Sequence, residues 1–289
     1  MPSQEFLNRP GSIWERYDLP NHPIEEARRE MDEIVVSELK TYDDVRWEPG
    51  TCGALSGKWV YPEDPSGYIL YYIHGGGFTH GSSGIAMPFI LELSHRLSLT
   101  AFSADYRLAP EYTFPAAPDD ALKGYQGLLG LGYAANHIIV CGESAGATLT
   151  LDLPYLARTA GLESPLALIA LSPVTDATAA LNETVLEGLS NPTEIYDVYA
   201  PGCDLSDPLI SPALGDLASF PPVFLSVGTT EPLLQDALIF TKKASYAGCD
   251  VRLHVGREMI HTYPLDLWDY PEAMEAFEEI ELFIRQRIS

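Results

Sequence analysis

This sequence predicts an α/β protein built on a mostly parallel sheet with helices on both faces. Two observations carry that expectation. From residue 68 onward, short runs rich in β-branched and aromatic residues alternate with longer stretches of helical periodicity, the pattern of right-handed βαβ units. The chain has 289 residues, of which 46% are hydrophobic and 10% aromatic, enough apolar material to cover a sheet from both sides. Proline and glycine are spread evenly, with no repeat, low-complexity tract or long linker, so residues 1–289 read as a single domain.

The elements follow in order. Residues 23–40 read as a helix because Ile24, Met31, Ile34, Val35 and Leu39 recur at mostly helical spacing. Residues 45–60 read as short strands joined by turns. The aromatic run 68–73 is a strand that ends at glycines. A helix over 87–97 and a strand over 99–104 come next, then a helix over 119–129 and a buried strand over 138–141. Residues 145–157 are helical and 167–171 form a strand. The last strands are 223–227 and 251–255, with helices over 233–247 and 271–287. The interval 175–216 breaks the alternation and reads as loop-rich, with Tyr196 and Tyr199 inside it. Together with residues 1–44 it is the material available to cover a site. In sheets of this kind ligands bind beyond the carboxyl ends of the strands, so the residues just after each strand matter most.

Composition removes several function classes. Lys and Arg number 17 against 41 Asp and Glu, a formal net charge of −24. Nucleic acid and anionic membrane surfaces need clustered cations, so neither is expected as a partner. A neutral or cationic small molecule is the easier guest. The polar N-terminus lacks the basic patch and apolar stretch of a secretory signal. Apolar runs such as 166–171 fall far short of the roughly 20 residues that span a bilayer. A cytoplasmic protein without membrane insertion is expected. Cys52, Cys141, Cys203 and Cys249 are scattered without CxxC spacing and read as reduced thiols, with neither a disulfide frame nor a zinc site.

The chemistry sits in three places. Gly142-Glu143-Ser144-Ala145-Gly146 lies between a strand and a helix, the context a GxSxG nucleophile elbow requires. Such a turn thrusts the Ser144 hydroxyl clear at a helix N-terminus, whose dipole favours an anion. His74-Gly75-Gly76-Gly77-Phe78 follows a strand, and successive glycines free backbone N–H groups to converge on one oxyanion. It matches neither GxGxxG nor a P-loop, so a phosphate loop is not the reading. Among His22, His74, His80, His95, His137, His254 and His261, only His261 sits in the loop after the last strand, and it is the expected base. The acid is expected after strand 223–227. Glu231 is the first carboxylate there, and Asp236, five residues on and inside the following helix, is the other candidate. The order Ser144, Glu231, His261 is that of α/β-hydrolases.

These motifs, with Asp105-Tyr106-Arg107-Leu108-Ala109-Pro110-Glu111, Phe114-Pro115-Ala116-Ala117, Asp207-Pro208-Leu209-Ile210-Ser211-Pro212 and Met259-Ile260-His261, resemble the hormone-sensitive-lipase family of α/β-hydrolase esterases in the same order. The resemblance runs from about residue 66 to the C-terminus. It implies an eight-stranded, mostly parallel sheet and a small helical cap formed by about 1–44 and 175–216. It also implies oxyanion donors at the N–H groups of Gly76, Gly77 and Ala145, and places His74, Arg107 and Glu111 as supports of the oxyanion loop. Two departures stand out: Glu143 occupies a position usually held by Asp, and Glu231 lies where Asp is common. Family members often form dimers, so a homodimer is among the states the resemblance leaves open.

The expected function is serine carboxylesterase action on a small-molecule ester of short, acetyl-like acyl chain, through an acyl-enzyme and with no metal or organic cofactor. The limited cap material argues against a long lipid tunnel. Phe78, Trp14, Tyr196, Tyr199 and Ile260 are expected near the pocket. An amidase or peptidase on the same fold is the alternative. A silent receptor-like hydrolase is disfavoured, since plant receptors that resemble this family have lost the histidine that His261 supplies here.

Overall fold

The structure is a computed structural model and describes residues 1–17, 19–178 and 192–288. Helices α1 (Gln4–Leu7), α2 (Ile13–Arg16) and α3 (Ile24–Ser37) lead into a hairpin of β1 (Val45–Cys52) and β2 (Leu55–Pro62). Then follow β3 (Ile69–Ile73), α4 (Met87–Leu97), β4 (Thr100–Ala104), α5 (Ala116–Gly130), β5 (Ile138–Glu143), α6 (Ala145–Thr159) and β6 (Ala167–Leu171). The chain closes with α7 (Pro192–Tyr199), β7 (Val223–Gly228), α8 (Leu234–Tyr246), β8 (Val251–Gly256) and α9 (Pro271–Arg285).

The strands form one eight-stranded sheet in the order β1-β2-β4-β3-β5-β6-β7-β8. The pairs β1·β2 and β2·β4 are antiparallel and all others parallel. Both faces are buried, which explains the near-continuous apolar strands. On β3, Leu70 and Tyr72 join Phe89 of α4 and Phe277 of α9 on one face. Ile69, Tyr71 and Ile73 join Tyr125 of α5 and Leu149 of α6 on the other. Each large side chain so buried contributes roughly 1.5–3 kcal/mol.

Topology and register position the site. After β3 the chain moves outward to β4, then returns to the other side of β3 as β5, so the winding reverses between β3 and β5. Ligands collect at such a switch point. Ile73 pairs with Gly142, Glu143 with Leu171 and Gly228 with Gly256, which brings the ends of β3, β5, β6, β7 and β8 to one edge.

Several elements differ from the sequence reading. The stretch read as short strands over 45–60 is a regular hairpin paired from Val45↔Pro62 to Cys52↔Leu55 at the edge of the sheet. α5 begins at Ala116, three residues earlier than expected. The loop-rich interval 175–216 contains α7, whose Tyr196 and Tyr199 are buried. Of that interval, residues 179–191 lie outside the described residues. The described residues of 1–44 include α1, α2 and α3, and the segment is anchored where Ser3 donates its N–H and hydroxyl to Glu272 of α9 at 2.5 and 2.7 Å.

One core group is out of keeping with its surroundings. Asp152 of α6 is wholly buried, and neither carboxyl oxygen has a hydrogen-bond partner among the described residues. Burial, with Asp207 adding repulsion, holds this carboxyl well above the ordinary range. Asp152 is then protonated in the folded chain while the unfolded chain ionises it near pH ~4. The folded state binds more protons, so stability falls as pH rises from there towards the raised value, by up to about 1.4 kcal/mol per pH unit. Asp152→Asn keeps the shape and cannot ionise. Thermal unfolding should show its Tm gaining on the wild type as pH rises from 5 to 8; parallel curves would contradict the assignment.

Candidate active site

The elbow is built by close approach. β5 is buried along its whole length and delivers the chain to Ser144, which adopts φ 53° and ψ −119° and caps α6. A positive φ is strained for a residue with a Cβ and persists only where the surroundings impose it. Here they do. The Ser144 N–H donates to Leu171 O at 2.8 Å, and a Cβ on Gly146 would stand 2.0 Å from Ile73 O. The Ala145 N–H opens α6 and is among the amides that no helical carbonyl can reach.

The glycine loop after β3 lies against this turn. Gly76 and Gly77 have φ of 110° and 60°, and Phe78 follows at 60°. The Gly75 N–H donates to Glu143 Oε1 at 2.7 Å, whereas the N–H groups of Gly76 and Gly77 meet no acceptor among the described residues. Glu143 also accepts from the Tyr72 hydroxyl at 2.5 Å. The extra methylene that distinguishes it from Asp therefore ties the elbow to both the loop and the sheet. Burial pushes the Glu143 carboxyl up to about 7, against those two bonds and the nearby charge of His261.

His261 follows β8, and its Nδ1 lies 2.5 Å from Glu231 Oε2. The Glu231 side chain is 1% exposed and that of His261 28%, so the carboxylate is sealed while the ring reaches the surface of the cleft. The other oxygen, Oε1, accepts from Ser172 Oγ at 2.7 Å and the Gly228 N–H at 2.6 Å. An acceptor-only carboxylate places the proton on Nδ1 and leaves Nε2 as an acceptor. Asp236 takes a different place. It accepts from the N–H groups of Thr175 at 2.7 Å and Asp176 at 2.9 Å, holding the loop after β6, and burial pushes its carboxyl up to about 6.

Ser172 escaped the sequence reading. It accepts from the Thr262 N–H at 3.1 Å while donating to Glu231, so one hydroxyl joins the carboxylate to the residue after His261. Its only sequence signal is a Ser-Pro step directly after β6.

The supports of the glycine loop are partly those expected. His74 is buried, with Nδ1 2.7 Å from Gly75 O and its ring stacked 4.3 Å from that of Tyr106. Burial pushes its pKa down to about 4, so it remains neutral. Among the described residues, Arg107 makes no hydrogen bond to the loop. It donates instead to Asp120 at 2.7 and 2.9 Å. Among the described residues, Glu111 meets the loop only through Arg28 of α3.

The expected pocket residues fall into three groups. Trp14 lies against the loop, its Cη2 3.0 Å from where a Cβ on Gly76 would be. Phe78 stacks on Tyr199 at 3.7 Å between ring centroids, with Tyr196 at 6.4 Å from Phe78. Ile260 packs apart from them, against the cluster of Phe6, Met259 and Tyr263. A cavity of about 210 Å³ opens beside Trp14 and Thr262, with Ile85, Leu265 and Trp268 also in its wall. Among the described residues, no helix is long and apolar enough to cross a membrane, and no three His, Cys, Asp or Glu side chains are grouped to hold a metal.

Comparison with known proteins places the chain among relatives of known fold. An acetyl-hydrolase of Streptomyces hygroscopicus is 31% identical over 242 residues, 81% of each chain. An esterase of Acinetobacter venetianus is 30% identical over 253 residues, 83% of this chain and 82% of its own. The crystal structure of an esterase from the bacterial hormone-sensitive lipase family superposes with a TM-score of 0.89 at 30% identity, over 100% of both chains. The family model for the alpha/beta hydrolase fold matches residues 70–265. With its elbow after β5 and its glycine loop after β3, the chain belongs to the α/β-hydrolase fold family, in the group related to hormone-sensitive lipase.

Proposed function

We propose that the protein is a serine carboxylesterase that cleaves short, acetyl-like acyl esters through Ser144, His261 and Glu231. The observation that carries this reading is the His261–Glu231 bond of 2.5 Å, made by a buried carboxylate whose other oxygen is already occupied by Ser172 and Gly228. Such a carboxylate fixes the ring and stabilises the imidazolium that forms when Nε2 takes a proton.

In this mechanism Ser144 Oγ attacks the ester carbonyl as His261 Nε2 removes its proton. The carbonyl oxygen becomes an oxyanion, and the N–H groups of Gly76, Gly77 and Ala145 are its donors. The tetrahedral intermediate collapses, His261 returns the proton to the departing alcohol, and an acyl-Ser144 ester remains. Water then repeats the sequence and releases the acid. Each step balances without a cofactor.

Residues 1–44 and about 175–216 act as the cap of this single domain. The short-chain preference rests on how closely they approach. Trp14 stands over Gly76, and Ile195 of α7 lies 3.5 Å from the Cβ position of Gly77. Phe78 of the loop stacks on Tyr199 of α7. The relatives named acetyl-hydrolase and esterase support the same class.

The test is a rate series on p-nitrophenyl esters of rising acyl length, extended to the corresponding anilides. Acetyl or butyryl esters should exceed the dodecanoyl ester by at least tenfold in kcat/KM, and the anilides should be slower still. A dodecanoyl optimum would overturn the short-chain assignment, and faster anilide cleavage would overturn the esterase assignment.

A further inference from the structure

The loop bearing the Gly76 and Gly77 amides is under strain. Gly76, Gly77 and Phe78 run in succession with φ of 110°, 60° and 60°, and Phe78 has no freedom from a missing Cβ. Backbone of this kind relaxes unless its neighbours hold it. Inside the turn, Gly76 O accepts the N–H groups of Thr79 at 3.1 Å and His80 at 2.9 Å. Across the gap, the Ala109 N–H donates to Phe78 O at 2.9 Å. The two backbone segments that grip the loop, at Thr79 and Ala109, still present outward carbonyls.

Both carbonyls are taken by one side chain from the N-terminal segment. Arg28 of α3 donates Nε to Thr79 O at 2.7 Å and Nη2 to Ala109 O at 2.7 Å. The outer edge of its guanidinium is held by Glu111, through Nη1 at 2.9 Å and Nη2 at 3.0 Å. The side chain is 18% exposed. The Arg28 bond and its charge hold the Glu111 carboxyl below its usual range, so Glu111 stays ionised. Hydrogen bonds from a charged donor are roughly twice as strong as neutral ones, and a planar fork aims them in fixed directions. Lysine, a point charge on a flexible stem, cannot reproduce this set.

We propose that Arg28 is a positioning residue for the oxyanion donors: by clamping the carbonyls of Thr79 and Ala109 together, it holds Gly76 and Gly77 in the orientation the reaction needs. This rests on the esterase reading above, in which those amides receive the oxyanion. Arg28 touches no reacting atom. Its effect is on the transition state, where the donors must already be in place, and not on the ground-state ester, whose carbonyl accepts weaker bonds.

The experiment compares Arg28→Met and Arg28→Lys with wild type, using p-nitrophenyl acetate turnover and inhibition by an alkyl trifluoromethyl ketone, which forms a tetrahedral adduct with the serine. Arg28→Met should lower kcat by about 10–100-fold, with KM within about twofold. Ketone affinity should weaken by a similar factor, and the shape of the pH–rate profile should not change. Arg28→Lys should fall between the two. Glu272→Gln removes the charge and one of the two acceptors of the Ser3 anchor and so loosens the same segment elsewhere, and it should leave kcat within about twofold. The proposal is overturned if folded Arg28→Met keeps wild-type kcat and ketone affinity, or if Glu272→Gln loses as much as Arg28→Met. Should Arg28→Met not fold, Arg28→Lys at full kcat and ketone affinity overturns it equally. A wild type that neither turns over esters nor forms the adduct overturns the esterase reading, and this proposal with it.

Discussion

Ser144→Ala is expected to lower kcat on p-nitrophenyl acetate by about 10⁴–10⁶-fold while circular dichroism and Tm stay near wild type. The reasoning is chemical and local. In the proposed mechanism the hydroxyl oxygen forms the acyl bond, and without it only water attack assisted by the remaining donors survives. Alanine retains the Cβ, so the strained φ of 53° and the N–H bond to Leu171 are unchanged in kind. An organophosphate should add one equivalent to wild type and none to the variant. Turnover within tenfold of wild type in purified Ser144→Ala would remove the mechanism altogether.

Glu231→Gln comes next in size. The Gln carbonyl can keep accepting from Ser172 and Gly228, as Oε1 does now. Its amide nitrogen would then face His261 Nδ1, where Oε2 lies 2.5 Å away. A donor in that place drives the proton from Nδ1 to Nε2, the tautomer that cannot accept from Ser144, and it gives no stabilisation to the imidazolium. A loss of about 10²–10⁴-fold in kcat is expected. Asp236→Asn makes the informative contrast. Its side-chain oxygen can still receive the N–H groups of Thr175 and Asp176, so kcat should fall by no more than about threefold, with the main effect on Tm. Kinetics of the two variants side by side decide the acid; the opposite ranking would move it to Asp236.

The parts of the fold and site that were legible in the sequence are those where one residue type is demanded by backbone or position. Gly142 to Gly146 could be placed because strand, turn and helix each leave a local pattern. Glu231 could be ranked above Asp236 because a loop residue reaches the histidine before a helix turns away. The illegible parts depend on what a side chain meets across the fold. Ser172 is an ordinary serine until Thr262 and Glu231 converge on it. Arg107 and Glu111 stand close together in the chain, yet the helix beside each decides its partner, Asp120 for one and Arg28 for the other. α1 and α2 have four residues each, too few to show a period, and α1 is held by a tertiary bond to α9. α7 is short too, and Tyr199 within it is fixed by stacking on Phe78.

The pairing of Ile73 with Gly142 makes the central sheet a ruler for the chemistry. A slip of one residue between β3 and β5 would shift the Gly75 N–H by about 3.3 Å, more than the 2.7 Å length of its bond to Glu143. The same slip would turn Tyr72 to the opposite face and strip Glu143 of its other donor. A partly registered sheet therefore has no partly working site. During refolding, ester turnover can return only after this one long-range pair, which joins residues far apart in the chain, has locked in its final alignment. Recovery of activity then times the closing of the middle of the sheet, whatever the pace at which its edges and helices assemble.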